Sequence, residues 1–157
     1  MKRILFGVIT IVLVGGGWYW MYGPCGVRPV AEGRERLRSL ADRWSDAVQV
    51  ASATPMIALA GPLGRLQDLR RETKELRVPG CTEHARNLLA KNMEITLEAL
   101  LAVMSAPPGQ RDALQGAVSE RMRDASQKLT DFQAEMSRLS SCPPICDGVL
   151  ATALGRD

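Results

Sequence analysis

The strongest constraint on this chain is the run from Ile4 to Tyr22, ILFGVITIVLVGGGWYWMY, in which nineteen consecutive positions carry no charge. At 1.5 Å per residue such a helix spans about 28 Å, roughly one hydrocarbon thickness of a bilayer. Lys2 and Arg3 precede it, and Trp18, Tyr19, Trp20 and Tyr22 close it as an aromatic belt closes a span at the membrane interface. Residues 1–24 are therefore expected to form one transmembrane anchor, with residues 4–22 in the lipid bilayer. A cleaved secretory signal fits less well: it ends in a small-x-small site, which neither Tyr22-Gly23-Pro24 nor Val27-Arg28-Pro29 supplies. A lipoprotein signal fails too, since Pro24 stands directly before Cys25.

From Cys25 to Asp157 there are 133 residues, enough for one domain with a real core and not for two. Past the anchor, eighteen basic and seventeen acidic residues leave a net charge of +1. A nucleic-acid surface needs a clustered positive excess, so no nucleic-acid partner is expected. Trp44 and Phe132 are the only aromatics past the anchor, too few for a stacking platform.

Residues 25–30 form a breaker-rich linker. Helical periodicity then takes over. Leu37, Leu40, Trp44, Val48 and Ala51 make one apolar stripe over about 31–51, with Arg34, Arg36, Arg38, Asp42 and Arg43 mostly on other faces. A second helix runs to about Arg77 with Leu63, Leu66, Leu69, Thr73 and Leu76 inside; its charged residues read as a solvated face. Thr82 is expected to cap a third helix, reaching Ser105, that buries Leu88, Leu89, Met93, Leu97, Leu100 and Met104. The fourth has the cleanest pattern: Leu114, Val118, Met122, Ala125, Leu129, Phe132, Met136 and Leu139 form a heptad seam that demands burial against other helices. Residues 142–157 are a Cys/Pro tail.

Between the first two helices, Ala47 to Gly64 carries no charge, and Pro55 and Pro62 interrupt it. Thr54 before Pro55 suits a helix start, and Pro62 reads as a second break. The stretch is either the inner end of a bundle or an apolar patch for a partner, with Met56, Ile57, Leu59 and Leu63 as candidate contacts. The fold class is therefore all-α, and two architectures compete over 31–141. If the chain reverses near 54–62, an up-down four-helix bundle results. If the prolines only kink it, a long helix with a packed helical hairpin results. The bundle is preferred, because a lone half-helix would leave Leu37, Leu40 and Trp44 uncovered.

Trp44-x-Asp46-Ala47, Ser52-x-Thr54-Pro55-x-Ile57-x-Leu59, Leu66-Gln67-x-x-Arg70-Arg71-Glu72, Val78-Pro79-x-Cys81 and Met93 resemble a bacterial family of small membrane- or lipid-anchored helical domains, cyanobacterial ones among them. The likeness covers about sixty residues and implies an anchor and a helical fold. It implies no activity, and Met56 stands where that pattern has arginine.

The cysteines are the one group with chemistry. Four on an exported helical domain point to disulfides among Cys25, Cys81, Cys142 and Cys146, with three pairings open. Cys25 and Cys81 each joining one of Cys142 and Cys146 is the preferred arrangement. A zinc site of Cys81, His84, Cys142 and Cys146 is the alternative. The same cysteines put the carboxyl-terminal domain outside, in the periplasm or beyond, with the anchor in a bacterial inner membrane. The charges flanking the anchor do not decide its orientation, because Arg28, Arg34, Arg36 and Arg38 follow it. His84 is the only histidine, and no G-x-S-x-G, phosphate-binding glycine loop or C-x-x-C is present, so neither enzyme activity nor a cofactor is expected.

Three functions fit. The first is an accessory or scaffolding subunit of a larger membrane assembly, with integral membrane proteins as partners and Gly15-Gly16-Gly17 as a close-approach face. The second is a ligand-binding or sensing module, which requires a cavity between helices. The third is the zinc-site protein.

Overall fold

The computed structural model describes residues 26–141. The anchor expected at 4–22, with Trp18, Tyr19, Trp20 and Tyr22, lies outside the described residues, as does the tail from residue 142. Among the described residues there are four α-helices and no strand: α1 Val27–Ala53, α2 Ala60–Glu75, α3 Gly80–Ser105 and α4 Arg111–Ser141, with short 3-10 turns at Met56–Ala58 and Pro108–Gln110. None of these helices is long and apolar enough to cross a membrane.

The prolines sit where a helix tolerates them. Pro29 and Pro62 each occupy the third residue of their helix, where the backbone N–H has no intrahelical acceptor to lose. Hence α1 starts at Val27 rather than near Ala31, and Pro62 opens α2 instead of breaking it. Thr54 also acts differently from expectation. It ends α1, its N–H reaching the Ala51 carbonyl at 3.2 Å and its hydroxyl donating to the Val50 carbonyl at 2.6 Å. Thr82 is no cap either: Pro79 holds that position, and the buried Thr82 hydroxyl donates back to the Pro79 carbonyl at 2.9 Å.

Chain reversal at 54–59 is evident from one ion pair. Arg43 donates to both oxygens of Glu72, at 2.8 and 2.9 Å. In a continuous helix, twenty-nine residues of separation would put them about 43 Å apart, so α2 must fold back along α1. The pairing holds the Arg43 pKa above its ordinary value, with the hydrogen bond as the main cause. Because both side chains are half exposed, the pair contributes no more than about 1 kcal/mol. Its value here is geometric. The kinked long helix is excluded.

Two further contacts fix the other directions. Gly33, near the start of α1, faces the beginning of α3: a Cβ there would lie 3.1 Å from Thr82 Oγ1 and 3.2 Å from Pro79 Cδ. Midway along α3, Asn92 Nδ2 donates to the Ala125 carbonyl midway along α4, at 2.7 Å. Each helix thus runs antiparallel to the one before it, and Gly26, Gly80 and Ser141 share one end of a helical bundle, called here the lower end.

The core is a stack of leucines and one methionine. Leu37 from α1, Leu66 from α2, and Leu89 and Met93 from α3 are fully buried. Trp44, Ala47, Leu63, Phe132 and Met136 extend that layer. Thr73, also fully buried, satisfies its hydroxyl on the Leu69 carbonyl at 2.9 Å and lies 3.3 Å from the Met93 sulfur. On the outer face Glu94 of α3 receives Lys74 of α2 at 3.4 Å and Lys91 at 3.3 Å, and Arg70 stands 3.9 Å away. The Lys91 hydrogen bond, with the positive charge of Lys74 and Lys91, holds the Glu94 carboxyl below the usual carboxylate range.

Two measurements test this packing. Gly33→Leu is expected to wedge α1 off the α2–α3 connection and lower stability by about 1–3 kcal/mol in urea denaturation. Gly64→Ala, in α2 with open space at its Cβ, is expected to raise it by about 0.5–1 kcal/mol. For Glu94, a pKa lower in the folded than in the unfolded chain means a contribution fully present above roughly pH 4 to 5 and lost as pH falls through the folded value. Glu94→Gln should therefore cost up to about 1 kcal/mol at neutral pH, and nothing once the carboxylate is protonated.

Candidate functional site

The sequence puts an apolar seam along all of α4, but α4 spends it unevenly. It lies along the length of α3 and touches α1 only sparsely. Ala125, Phe132 and Met136 are buried, whereas Met122 is 37% exposed and Leu114 and Val118 only partly covered. The expectation that the whole seam is buried is thus corrected: its upper part is covered only incompletely. Small residues leave the gap between α1 and α4 unfilled, with Ala41 and Ser45 of α1 and Ala125 and Ser126 of α4 all lining it.

What results is a groove of about 570 Å³ between α1 and α4, with Asn92 and Thr96 of α3 as its floor. Trp44 and Val48 line the α1 wall, and Met122, Leu129, Phe132 and Met136 the α4 wall. Arg34 and Arg38 stand at the lower end, opposite Ser137 and Ser140; Asp42, one turn above Arg38, is the only carboxylate in the lining. From Ser140 to Met122 the α4 wall is about 27 Å long by helix rise.

Two polar atoms in this groove are buried without a partner. Asn92 is only 5% exposed; its Nδ2 is used on Ala125, but its Oδ1 accepts nothing. Arg34 Nε is likewise buried and donates to nothing. Neither Arg34 nor Arg38 forms an ion pair among the described residues. An orphaned buried donor or acceptor costs about 1–3 kcal/mol, so the groove is polarised toward whatever pairs these atoms. A second hollow of about 290 Å³ between α2 and α3 differs. Its cations are engaged, Lys74 and Lys91 by Glu94, and Arg86 by Glu83 and the Leu76 carbonyl.

Comparison with protein-family models, curated proteins and solved structures finds no match.

The expected site residues separate. Of the four candidate partner contacts, Ile57 is 98% exposed and Met56 partly so, at the upper end of the bundle. Leu59 and Leu63 point the other way, into the core, because α2 folds back and needs them against α1. Those two are withdrawn as surface contacts. Cys81 is disulfide-bonded, which leaves it no thiolate for a metal, and His84 is exposed. Cys25, Cys142 and Cys146 lie outside the described residues. Among the described residues no cluster of three His, Cys, Asp or Glu side chains could hold a metal ion.

Asn92 and Arg34 were not among the expected site residues. For Asn92 a signal existed: Asn92 and Thr96 are polar at i, i+4 on a helix whose flanking positions Leu89, Met93 and Leu97 are core. Arg34 and Arg38 read as solvated in the sequence; Arg38 is indeed exposed, while Arg34 is partly covered where it borders the groove. Asn92→Leu, which removes the orphaned oxygen, is expected to leave stability unchanged or raise it by up to about 1–2 kcal/mol. Leu89→Ala, by contrast, should cost about 2–5 kcal/mol. Urea denaturation distinguishes the two, and a loss of several kcal/mol in Asn92→Leu would make Asn92 a packing residue.

Proposed function

We propose that this protein is a non-enzymatic binding module, tethered to a bacterial inner membrane by residues 4–22, that holds a ligand in the groove between α1 and α4. The observation that carries this is the pair of buried, unpartnered atoms, Asn92 Oδ1 and Arg34 Nε, in one interhelical cavity. The volume lies within the range of about 300–1,000 Å³ common for small-molecule sites. The position of the domain in the periplasm or outside is supported by the disulfide at Cys81, since such bonds persist in oxidising compartments. Gly26 and Ser141, next in sequence to Cys25 and Cys142, share the lower end with Cys81, which favours the arrangement in which Cys25 and Cys81 each pair with one of Cys142 and Cys146.

An accessory role in a larger membrane assembly is favoured by a separate feature. Ile57 is almost wholly exposed at the tip of an uncharged stretch, with Val50 and Met56 also exposed nearby in sequence. Such a cap is left uncovered by this chain, and a part of a membrane partner that reaches beyond the bilayer to the upper end would bury it.

One preparation tests both roles. The full chain is extracted from its native membrane in polymer discs, alkylated without reduction, and analysed by native mass spectrometry. The expected result is two internal disulfides and a stoichiometric small molecule that is lost in Ser126→Phe, which fills the groove from its exposed rim. Ile57→Asp should release co-purifying proteins and leave the small molecule. A chain free of bound small molecules in every preparation would overturn the groove assignment.

A further inference from the structure

The groove is not uniform along its length, and its asymmetry identifies a class of ligand. Its middle and upper part carries the apolar side chains of Trp44, Leu129, Phe132 and Met122 on its walls, over a polar floor of Asn92 and Thr96 and beside Ser45 and Ser126. Its lower end carries two guanidinium groups one helical turn apart, Arg34 and Arg38, with the hydroxyls of Ser137 and Ser140 opposite. No described carboxylate pairs with either arginine, and Arg34 already holds one N–H buried and unsatisfied. Arginine's fork of donors matches a carboxylate or phosphate group. Asp42 stands above this end on the rim, so an anion is favoured low in the groove and disfavoured higher up.

We infer that the groove takes a single-chain amphiphile with an anionic head, the head held by Arg34 and Arg38 and the acyl chain laid upward past Phe132 and Trp44, an occupant that answers the unpaired Arg34 Nε and leaves Asn92 Oδ1 on the floor without a donor. This rests on the groove being a ligand site at all. Charge complementarity selects this occupant over a second copy of the chain or a partner helix, which would have to bring its own anion to the same end. The lower end is also the end from which the chain leads back to residues 4–22, the segment read above as its membrane anchor. A bilayer offers methylenes the same apolar surroundings as the groove, so burial of the tail does not by itself draw the molecule out of the membrane. The head contacts decide occupancy. Charge-assisted hydrogen bonds of this kind correspond to about tenfold or more in affinity.

Trp44 makes the inference measurable, because Trp18 and Trp20 are the only other tryptophans. The full chain carrying Trp18→Phe and Trp20→Phe, in nanodiscs of zwitterionic lipid, is titrated with 9,10-dibromostearate and with its uncharged methyl ester. Bromine quenches Trp44 only on contact. The expected result is saturable quenching by the acid at a concentration at least tenfold lower than by the ester. In Arg34→Gln/Arg38→Gln the acid should lose that advantage while the ester is unaffected. In Ser126→Phe, checked for native helicity and melting, both should fail to quench. Equal quenching by acid and ester in the unsubstituted groove would overturn the anionic head and leave the ligand site standing. Quenching that Ser126→Phe does not reduce would overturn occupancy of the groove by an acyl chain. So would a dimer or a bound protein that Ser126→Phe dissociates, since the groove would then belong to a macromolecule. Absence of quenching by both probes overturns the inference. If no small molecule co-purifies either, the ligand site itself falls.

Discussion

The apolar stripe of α1 must be covered, and everything else in the bundle follows from how that is done. Leu37, Leu40 and Trp44 would face water in a lone helix, at about 1.5–3 kcal/mol per large side chain. The chain covers them by reversing at Thr54 to Leu59, laying Leu63, Leu66 and Leu69 of α2 against them. A half-exposed ion pair, Arg43 with Glu72, fits across the resulting seam. Such a pair is too weak to drive the reversal. It is the apolar layer beneath, centred on Leu66 and Leu89, that supplies the free energy.

Once α2 is committed to α1, and α3 to both, α4 has one good neighbour left. It packs along α3, and its contact with α1 is slight. A fully closed four-helix core would need large residues at the α1–α4 seam, but Ala41, Ser45, Ala125 and Ser126 stand there. The gap that follows is the groove, and its floor is a helix face bearing Asn92 and Thr96 in place of two more leucines. Thr96 is satisfied by the Asn92 carbonyl of its own helix at 2.9 Å. Asn92 is only half satisfied, and a half-satisfied buried amide is worse for stability than an apolar residue of the same shape. Sites that bind commonly carry this kind of local cost.

The electrostatics divide along the same line. On the outer face of α2 and α3, Glu94 gathers Lys74, Lys91 and Arg70, and Arg86 anchors the end of α2 through the Leu76 carbonyl. Those cations have a carboxylate or carbonyl partner, although Arg70 Nε is, like Arg34 Nε, buried without a hydrogen bond. At the lower end of the groove Arg34 and Arg38 have no such match among the described residues. Arg36, Arg65, Arg77, Arg121 and Arg123 form no ion pair among the described residues either, so it is their place at the groove, and not their lack of a partner, that sets Arg34 and Arg38 apart.

Much of the local structure was legible in the sequence, because it depends on periodicity and on breakers. Four amphipathic stripes predict four helices, and Leu37, Trp44, Leu66, Thr73, Leu89 and Phe132 are buried as their spacing requires. The exceptions are local rivalries: Pro29 and Pro62 are harmless in a first turn, and Thr54 serves the end of α1 rather than the start of the next helix. Periodicity also says that a stripe will be buried without saying against what. Whether 54–62 turns or kinks depends on contacts between residues twenty-nine apart, so only the tertiary structure could choose. The same holds for the groove. Met122, Arg34 and Asn92 each follow the pattern of their own helix, and it is the spacing between α1 and α4, a property of neither sequence segment alone, that leaves them lining a cavity together.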